Sequence, residues 1–198
     1  MVQTASVFAI LSKNIHLGGM DSTSLSTVLS NTIRDVPDFP KPGILFKDIT
    51  PILKDHELCQ RVVQAICRAF VDQEIAAVAG IESRGFLFGM MIAEQLKVPF
   101  VPIRKQGKLP ADVISCAYDL EYGSATIEIH ADALNKGTRV LIHDDLLATG
   151  GTVVAASELV QRAGGEIAGY AFVINLDFLE GKKRLERFGA PVYSLVDF

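Results

Sequence analysis

The sequence predicts an α/β fold with a doubly wound, mostly parallel sheet in one globular domain. Three observations support this prediction. Short apolar runs typical of buried strands alternate with longer runs whose apolar residues recur at helical spacing. Small or charged residues follow several of these strand-like runs, and α/β proteins bind their ligands beyond the carboxyl ends of their strands. The 198 residues, 49% of them hydrophobic, are enough for one core.

Composition excludes several classes of protein. A net charge of −4 gives no general basic surface for nucleic acid, so we expect no nucleic-acid partner. The apolar runs are shorter than the ~20 residues of a membrane span, and the first residues do not form a signal peptide. Three irregularly spaced cysteines argue against a disulfide framework or a zinc site: Cys59, Cys67 and Cys116. We therefore expect a cytoplasmic protein with no membrane partner.

The N-terminal segment differs from the rest of the chain. Residues 1–19 match nothing in the repeating organisation that follows, which suggests a dispensable extension before a single domain of residues 20–198. Asp21 and Ser22 are good N-cap residues for a first helix. Pro37 is expected to end that helix.

Residues 38–53 contain three prolines and a glycine, which exclude a long regular element. Within them, residues 44–46 form a short apolar island. We expect a structured loop that either covers one end of the core as a hydrophobic plug or forms part of a binding pocket.

A helix is predicted from Asp55, followed by a buried strand over residues 75–79. The strand leads into a turn of small residues with two charges, Glu82 and Arg84, and then into a helix over residues 86–96. These charges either cap the helix or face a ligand at the end of the strand.

Residues 104–123 follow a third strand, predicted at residues 99–103, and form a long connection for a compact domain. Three cations lie at its start: Arg104, Lys105 and Lys108. The segment is either a solvated charged face or a mobile functional loop. Residues 124–130 then alternate as a half-exposed strand, with Glu128 on the exposed face.

The sequence RVLIHDDLLATGGT, residues 139–152, predicts the main ligand site. Four residues ending at His143 read as a buried strand, which is expected to stop before Asp144 and Asp145. The small-residue loop 148–152 then enters a helix, and backbone N–H groups at such a turn bind phosphate. Carboxylates beside a phosphate site serve sugar hydroxyls or a cation such as Mg2+. An isolated Gly-Gly turn with an aspartate cap would look similar.

The last part of the domain continues the alternation. A helix over residues 153–163 is expected to end at Gly164 and Gly165, before a buried strand over residues 167–176. His143 lies inside a predicted buried strand, so we interpret it as a core histidine whose polar atoms have partners.

The segment DDLLATGGT resembles the phosphoribosyl pyrophosphate (PRPP) motif of the type I phosphoribosyltransferases, in the version found in adenine phosphoribosyltransferases. PGILFKDITP, GIESRGFLFG and the pair RKQGKLP and LEYG are similar to three further segments of that family. The resemblance implies a small base-binding hood, a flexible catalytic loop and a homodimer. It also implies transfer of phosphoribose from PRPP to adenine with Mg2+, giving AMP and pyrophosphate.

The same resemblance implies roles for individual residues. Catalytic roles are implied for Glu121, Arg104 and Lys105. PRPP and AMP contacts are implied for Glu82, Ser83, Arg84, Lys108, Tyr122, Asp144, Asp145, Ala148, Thr149, Gly150, Gly151 and Thr152. Adenine contacts are implied for Leu45, Phe46, Lys47 and Leu176. Mg2+ would be held mainly by PRPP, with no direct protein ligand assigned.

Two other functions fit the same motifs. One is a regulator that senses PRPP without catalysis, although residues 1–36 offer no basic patch for DNA. The other is a phosphoribosyltransferase for another purine. At the level of single residues, Leu176 fits a plain core position equally well, and Glu121 also fits a solvated charge.

Overall fold

The computed structural model describes residues 24–119 and 123–198. In these ranges the helices are α1 (Leu25–Thr32), α2 (His56–Ala69), α3 (Gly85–Leu96), α4 (Gly151–Arg162) and α5 (Gly181–Leu185). The strands are β1 (Arg34–Pro37), β2 (Leu45–Asp48), β3 (Ala77–Ile81), β4 (Phe100–Lys105), β5 (Val113–Asp119), β6 (Ser124–His130), β7 (Arg139–Leu147), β8 (Glu166–Asn175) and β9 (Val192–Asp197). The predicted extension of residues 1–19 lies outside the described part.

Seven of the described strands form the main sheet, in the order β5-β6-β4-β3-β7-β8-β9. The four neighbouring pairs from β4 to β9 are parallel, whereas β6 pairs antiparallel with both β4 and β5. The predicted mostly parallel sheet is therefore confirmed. Because parallel strands end at the same edge, the carboxyl ends of β3, β4, β7 and β8 lie side by side.

The sheet separates two hydrophobic cores. Leu141 belongs to the core formed with α1, α2 and α3, while its neighbours Val140 and Ile142 belong to the core formed with α4 and α5. Successive side chains of a strand point to opposite faces, so one strand supplies both cores. Such burial on both faces explains why β8 and residues 140–142 of β7 read as continuous apolar runs.

The helix caps agree in part with the sequence. Asp55 caps α2 as predicted, and its Oδ1 accepts from the N–H of Leu58 at 3.0 Å. The cap of α1 is Ser24, whose Oγ accepts from the N–H of Thr27 at 3.2 Å, whereas Asp21 and Ser22 were the predicted caps. In the described part of the chain, no helix is long and apolar enough to cross a membrane.

Two segments predicted as loops contain strands. β1 and β2 pair antiparallel in a separate small sheet, so Pro37 lies in a strand and not directly at a helix end. The apolar residues 45–46 belong to β2. Residues 104–123 were also expected to be one long loop, but β5 takes residues 113–119 and pairs with β6 in a hairpin. Prolines and charges concealed these strands because they lie at sheet edges, where such residues are tolerated.

The strand β7 is longer than the sequence suggested. It was expected to end before Asp144, but it continues through both carboxylates to Leu147. Parallel pairing with β8 extends to Leu147 opposite Asn175, which keeps the backbone hydrogen-bonded. Asp145 is therefore inside the sheet and only 2% exposed.

His143 lies in the core of β7, fully buried, as predicted. Its Nδ1 lies 2.9 Å from the carbonyl oxygen of Ala171, so this nitrogen carries the proton that is donated. Its Nε2 has no partner among the described residues, which corrects the expectation that both nitrogens are satisfied. Burial lowers the pKa of His143 to about 4.

This buried imidazole should make folding sensitive to acid. Because the pKa of His143 falls from its ordinary 6.5 to about 4 on folding, this histidine makes its full contribution to the free energy of unfolding above pH 6.5. That contribution is lost as the pH falls towards 4, by about 3 kcal/mol. We expect His143→Leu, of similar size, to remove this component.

The measurement is urea unfolding of both proteins between pH 7.5 and 4. The difference between their free energies of unfolding isolates the histidine from the carboxylates, which both proteins share. A difference that does not change with pH would contradict the assignment.

Candidate active site

The carboxyl edge of the main sheet gathers most of the residues singled out from the sequence. Glu82, Ser83 and Arg84 form the turn from β3 to α3, and Arg104 and Lys105 end β4. Asp144 and Asp145 lie near the end of β7, and Ala148 to Gly150 connect it to α4. The described residues of these separate motifs thus meet at one edge of the sheet.

The loop 148–152 has the geometry of an anion site. Gly150 has φ +81°, a conformation that glycine adopts without strain, and α4 begins at Gly151. The first N–H groups of a helix have no acceptor within the helix and carry its positive dipole end. A phosphate group fits this position.

Gly181 supports the loop from behind. A Cβ atom on Gly181 would lie 2.2 Å from the carbonyl oxygen of Ala148, and one on Gly150 would lie 3.0 Å from that of Gly181. The two backbones therefore touch without room for a side chain. The sequence reasoning missed this role, although a glycine at the start of α5 offered a signal.

The two carboxylates of β7 have different surroundings. Asp145 is buried and its Oδ2 lies 3.1 Å from Nε of Arg84, whereas half-buried Asp144 accepts at Oδ1 from the N–H of Asp145 at 2.9 Å. Burial, together with the charge of Asp145, raises the pKa of Asp144. Burial also raises the pKa of Asp145, although the charge of Arg84 opposes this effect. Both groups can accept hydrogen bonds from hydroxyl groups.

Arg84 joins the turn after β3 to the small sheet. Besides its contact with Asp145, its Cζ lies 4.9 Å from the centroid of the Phe46 ring. Its side chain is 37% exposed, so it can reach a ligand in the crevice. The sequence alone did not predict the contact with Phe46.

In the described structure, the carboxylate of Glu82 pairs with the guanidinium group of Arg104. Nε and Nη2 of Arg104 each donate to the carboxylate at 3.2 Å, and the N–H of Lys105 donates to it at 3.0 Å. Burial opposes ionisation of Glu82, but these donors hold its pKa below the ordinary value. Arg104 also donates to the carbonyl oxygen of Lys108 at 2.9 Å, while the Lys105 and Lys108 side chains are exposed.

Three of the four base-binding residues implied by the resemblance lie on β2. Leu45 is 50% exposed, and half-buried Phe46 packs edge-on against Phe39 with ring centroids 5.1 Å apart. Lys47 pairs with Asp35 at 2.7 Å and lies over the ring of Phe198. An aromatic face is thus held at one side of the crevice by a small, well-paired sheet.

Of the remaining residues to which the resemblance assigns roles, Leu176 and Thr152 lie in the described part of the chain. Leu176 follows β8, donates its N–H to the carbonyl of Leu147 at 2.9 Å and packs partly buried against the core, which is compatible with both of its interpretations. Thr152 donates through Oγ1 to the hydroxyl of Tyr118 at 3.2 Å, a contact that the sequence did not predict. Glu121 and Tyr122 lie outside the described residues.

Glu128 corrects a further expectation. It was predicted on an exposed face but is only 5% exposed. Its carboxylate accepts from the N–H of Gly107 at 2.9 Å and from Oγ of Ser115 at 3.2 Å. It thereby anchors the connection between β4 and β5.

The described residues contain no group of three or more histidine, cysteine, aspartate or glutamate side chains that could hold a metal ion. Asp144 and Asp145 are adjacent in β7, and Asp145 already contacts Arg84.

Comparison with known proteins places this geometry in a family context. A model of the phosphoribosyl transferase domain matches residues 48–190. The adenine phosphoribosyltransferase of Cytophaga hutchinsonii is 51% identical over 174 residues, covering 88% of this chain and 96% of the relative. That of Methylococcus capsulatus is 55% identical over 166 residues, covering 84% and 96%.

Solved structures agree with the sequences. The adenine phosphoribosyltransferase of Rhodothermus marinus has a TM-score of 0.84 at 52% identity, covering 88% of this chain and 98% of the other. That of Saccharomyces cerevisiae, complexed with an imino-altritol bisphosphate and adenine, has a TM-score of 0.81 at 42% identity, covering 86% and 98%. The Trypanosoma brucei protein, solved with AMP, pyrophosphate and ribose 5-phosphate, has a TM-score of 0.81 at 28% identity, covering 90% and 81%.

Proposed function

The chain belongs to the phosphoribosyl transferase family, and from this premise we propose how its residues carry out the reaction. The chain transfers the 5-phosphoribosyl group of PRPP to adenine, which gives AMP and pyrophosphate in purine salvage. The observation that carries this conclusion is the identity of 51% or more to adenine phosphoribosyltransferases over more than four fifths of the chain.

PRPP is proposed to lie along the carboxyl edge of the main sheet. Its 5-phosphate binds the N–H groups of residues 148–152, and its ribose hydroxyls donate to Asp144 and Asp145. Breaking the bond at C1 of the ribose places negative charge on pyrophosphate. Four cationic side chains near the turn after β3 and the end of β4 stabilise that charge: Arg84, Arg104, Lys105 and Lys108. Glu82 holds Arg104 in place through the two hydrogen bonds described above.

Mg2+ is proposed as the metal of the reaction. Its oxygen ligands would come mainly from the phosphate and hydroxyl groups of PRPP, as is usual for Mg2+ bound together with a phosphate substrate. When bound, the ion neutralises charge on the leaving pyrophosphate.

Adenine is proposed to stack on Phe46, with its edge read by the backbone of Leu45 and Lys47 and its far side closed by Leu176. Glu121 is proposed to take or share the proton that leaves the imidazole ring of adenine, help that is worth about 10²- to 10⁴-fold in rate. Tyr122 would pack over the site beside it. These two roles depend on the match to LEYG in the sequence.

We further propose a cytoplasmic homodimer. Leu87 and Met90 on α3 are 42% and 52% exposed, which leaves apolar surface for a second copy of the chain to cover. The elution volume of the native protein in size-exclusion chromatography, compared with that of standards of known mass, tests this assembly.

One assay tests the reaction. PRPP and Mg2+ are supplied with adenine, hypoxanthine, guanine or xanthine in turn, and pyrophosphate release is followed. Adenine should give by far the highest kcat/KM. Preference for another base would move the protein to another purine, and tight PRPP binding without turnover would make it a sensor.

Phe46→Ala tests the base site. Stacking of a base on an aromatic ring is worth about 1–3 kcal/mol, so the KM for adenine should rise by roughly 5- to 150-fold. The KM for PRPP should change little, because the PRPP contacts lie on other elements. Phe188→Ala is a matched control, since Phe188 also lies under an arginine, Arg187 at 4.7 Å, but packs on Tyr170 in the core. Equal KM values for adenine in the two variants would refute the stacking role.

A further inference from the structure

Arg84 is a single side chain that contacts both halves of the proposed site. Its Nε lies 3.1 Å from Oδ2 of Asp145, on the PRPP side, and its Cζ lies 4.9 Å from the ring centroid of Phe46, on the adenine side. Phe39 packs against the same ring at 5.1 Å. The surroundings of the Phe46 ring are therefore already occupied in the ligand-free chain.

The position of Arg84 conflicts with a stacked base. Adenine must lie between Phe46 and Asp145, because it becomes joined to a ribose whose hydroxyls face that carboxylate. Arg84 occupies this same side of the ring. Stacked layers are separated by about 3.5–4 Å, so a base and a guanidinium group need roughly 7 Å together, more than the present 4.9 Å.

We propose that Arg84 couples the binding of the two substrates, an inference that rests on the proposed function. Without PRPP, the guanidinium group covers the stacking face of Phe46 and pairs with Asp145. When PRPP binds, its pyrophosphate group offers Arg84 more negative charge than one carboxylate does, and Arg84 moves onto it. The move exposes Phe46 to adenine and frees Asp145 to accept from the ribose.

This arrangement has a thermodynamic consequence. Whatever removes Arg84 from Phe46 strengthens adenine binding, and adenine strengthens pyrophosphate binding by the same factor. Coupling of this kind commonly amounts to about 5- to 150-fold in affinity. We expect the adenine affinity of the unaltered chain to rise at least about 5-fold when pyrophosphate and Mg2+ are present.

The experiment is calorimetric titration of adenine into the full chain, with and without saturating pyrophosphate and Mg2+. Arg84→Ala should tighten adenine binding in the absence of pyrophosphate, to near the value that the unaltered chain reaches with pyrophosphate. Arg84→Lys keeps the charge beside Asp145 but lacks a planar group, so it should restore part of the coupling. Arg34→Ala is the control, because Arg34 lies in the same small sheet and contacts Asp48 at 3.7 Å.

The sign of the effect separates this proposal from a structural role. Loss of a merely structural arginine would weaken adenine binding, whereas loss of the cover strengthens it. Unchanged or weaker adenine binding by Arg84→Ala without pyrophosphate would overturn the coupling. If Phe46→Ala leaves adenine binding unchanged as well, the proposed base site itself is wrong; if Phe46→Ala weakens it, only the coupling fails.

Discussion

Gly181→Ala is expected to lower kcat/KM for PRPP by at least about 100-fold while adenine binding is preserved. The added Cβ would lie 2.2 Å from the carbonyl oxygen of Ala148, a contact that real structures do not tolerate. Relief requires a shift of about 1 Å in the loop that is proposed to hold the 5-phosphate, and misplacement by that amount commonly costs about 100-fold in rate.

Gly189→Ala is the matched control for this substitution. Gly189 lies in the same C-terminal part of the chain, at φ +66°, and a Cβ there would meet nothing within 4 Å. Its replacement strains the backbone but leaves the loop 148–152 untouched, so KM for PRPP should stay the same. Steady-state kinetics, with adenine calorimetry to show that each variant is folded, decides the matter. Equal kinetics for both variants would mean that Gly181 does not position the loop.

The strands and helices around the two cores could be predicted because their residues follow a simple period. The apolar spacing of α2 and the nearly unbroken apolar runs of β3 and β8 have few alternative interpretations. Motifs distant in sequence meet at one edge of this sheet because parallel strands place their carboxyl ends together.

What the sequence concealed depends on tertiary contacts. In the sequence, Asp145 reads as the end of a strand because a charge is rarely buried, whereas in the fold Arg84 from another turn compensates for its charge. Glu128 alternates with apolar residues as an exposed side chain would, but its buried carboxylate accepts hydrogen bonds from the N–H of Gly107 and the hydroxyl of Ser115. The contact between Arg84 and Phe46 joins two separate motifs, so it cannot be predicted from the residue spacing within either motif.

His143 shows a limit of a different kind. Its burial follows from its position in an apolar run, but the number of its satisfied nitrogens does not. Only the neighbouring strand β8 decides that Nδ1 meets a carbonyl group and that Nε2 meets none among the described residues. Hydrogen-bond satisfaction is a property of three-dimensional neighbours and cannot be derived from a single strand.

Replacing the carboxylates of β7 should weaken PRPP binding without loss of the fold. Asp144→Asn and Asp145→Asn each keep the side-chain volume and remove a charged acceptor of the ribose hydroxyls. A hydrogen bond to a charged group contributes about 1.5–3 kcal/mol, so each change should raise the KM for PRPP by roughly 10- to 150-fold. Burial raises the pKa of both groups, which means that the folded state disfavours their charged forms, so neutralising either one should cost little folding free energy.

The pH dependence provides an independent readout of the same two groups. Their raised pKa values mean that protonation begins above the ordinary carboxyl pKa of 3.8, so kcat/KM for PRPP should fall as the pH is lowered towards that range. Asp144→Asn should shift this inflection, since the charge of Asp145 is then titrated without its neighbour. Asp132→Asn, at an exposed acid after β6, is the control and should leave the profile unchanged. If both β7 variants kept the PRPP KM of the unaltered chain, these carboxylates would not face the ribose, and the placement of PRPP along this edge would have to be abandoned.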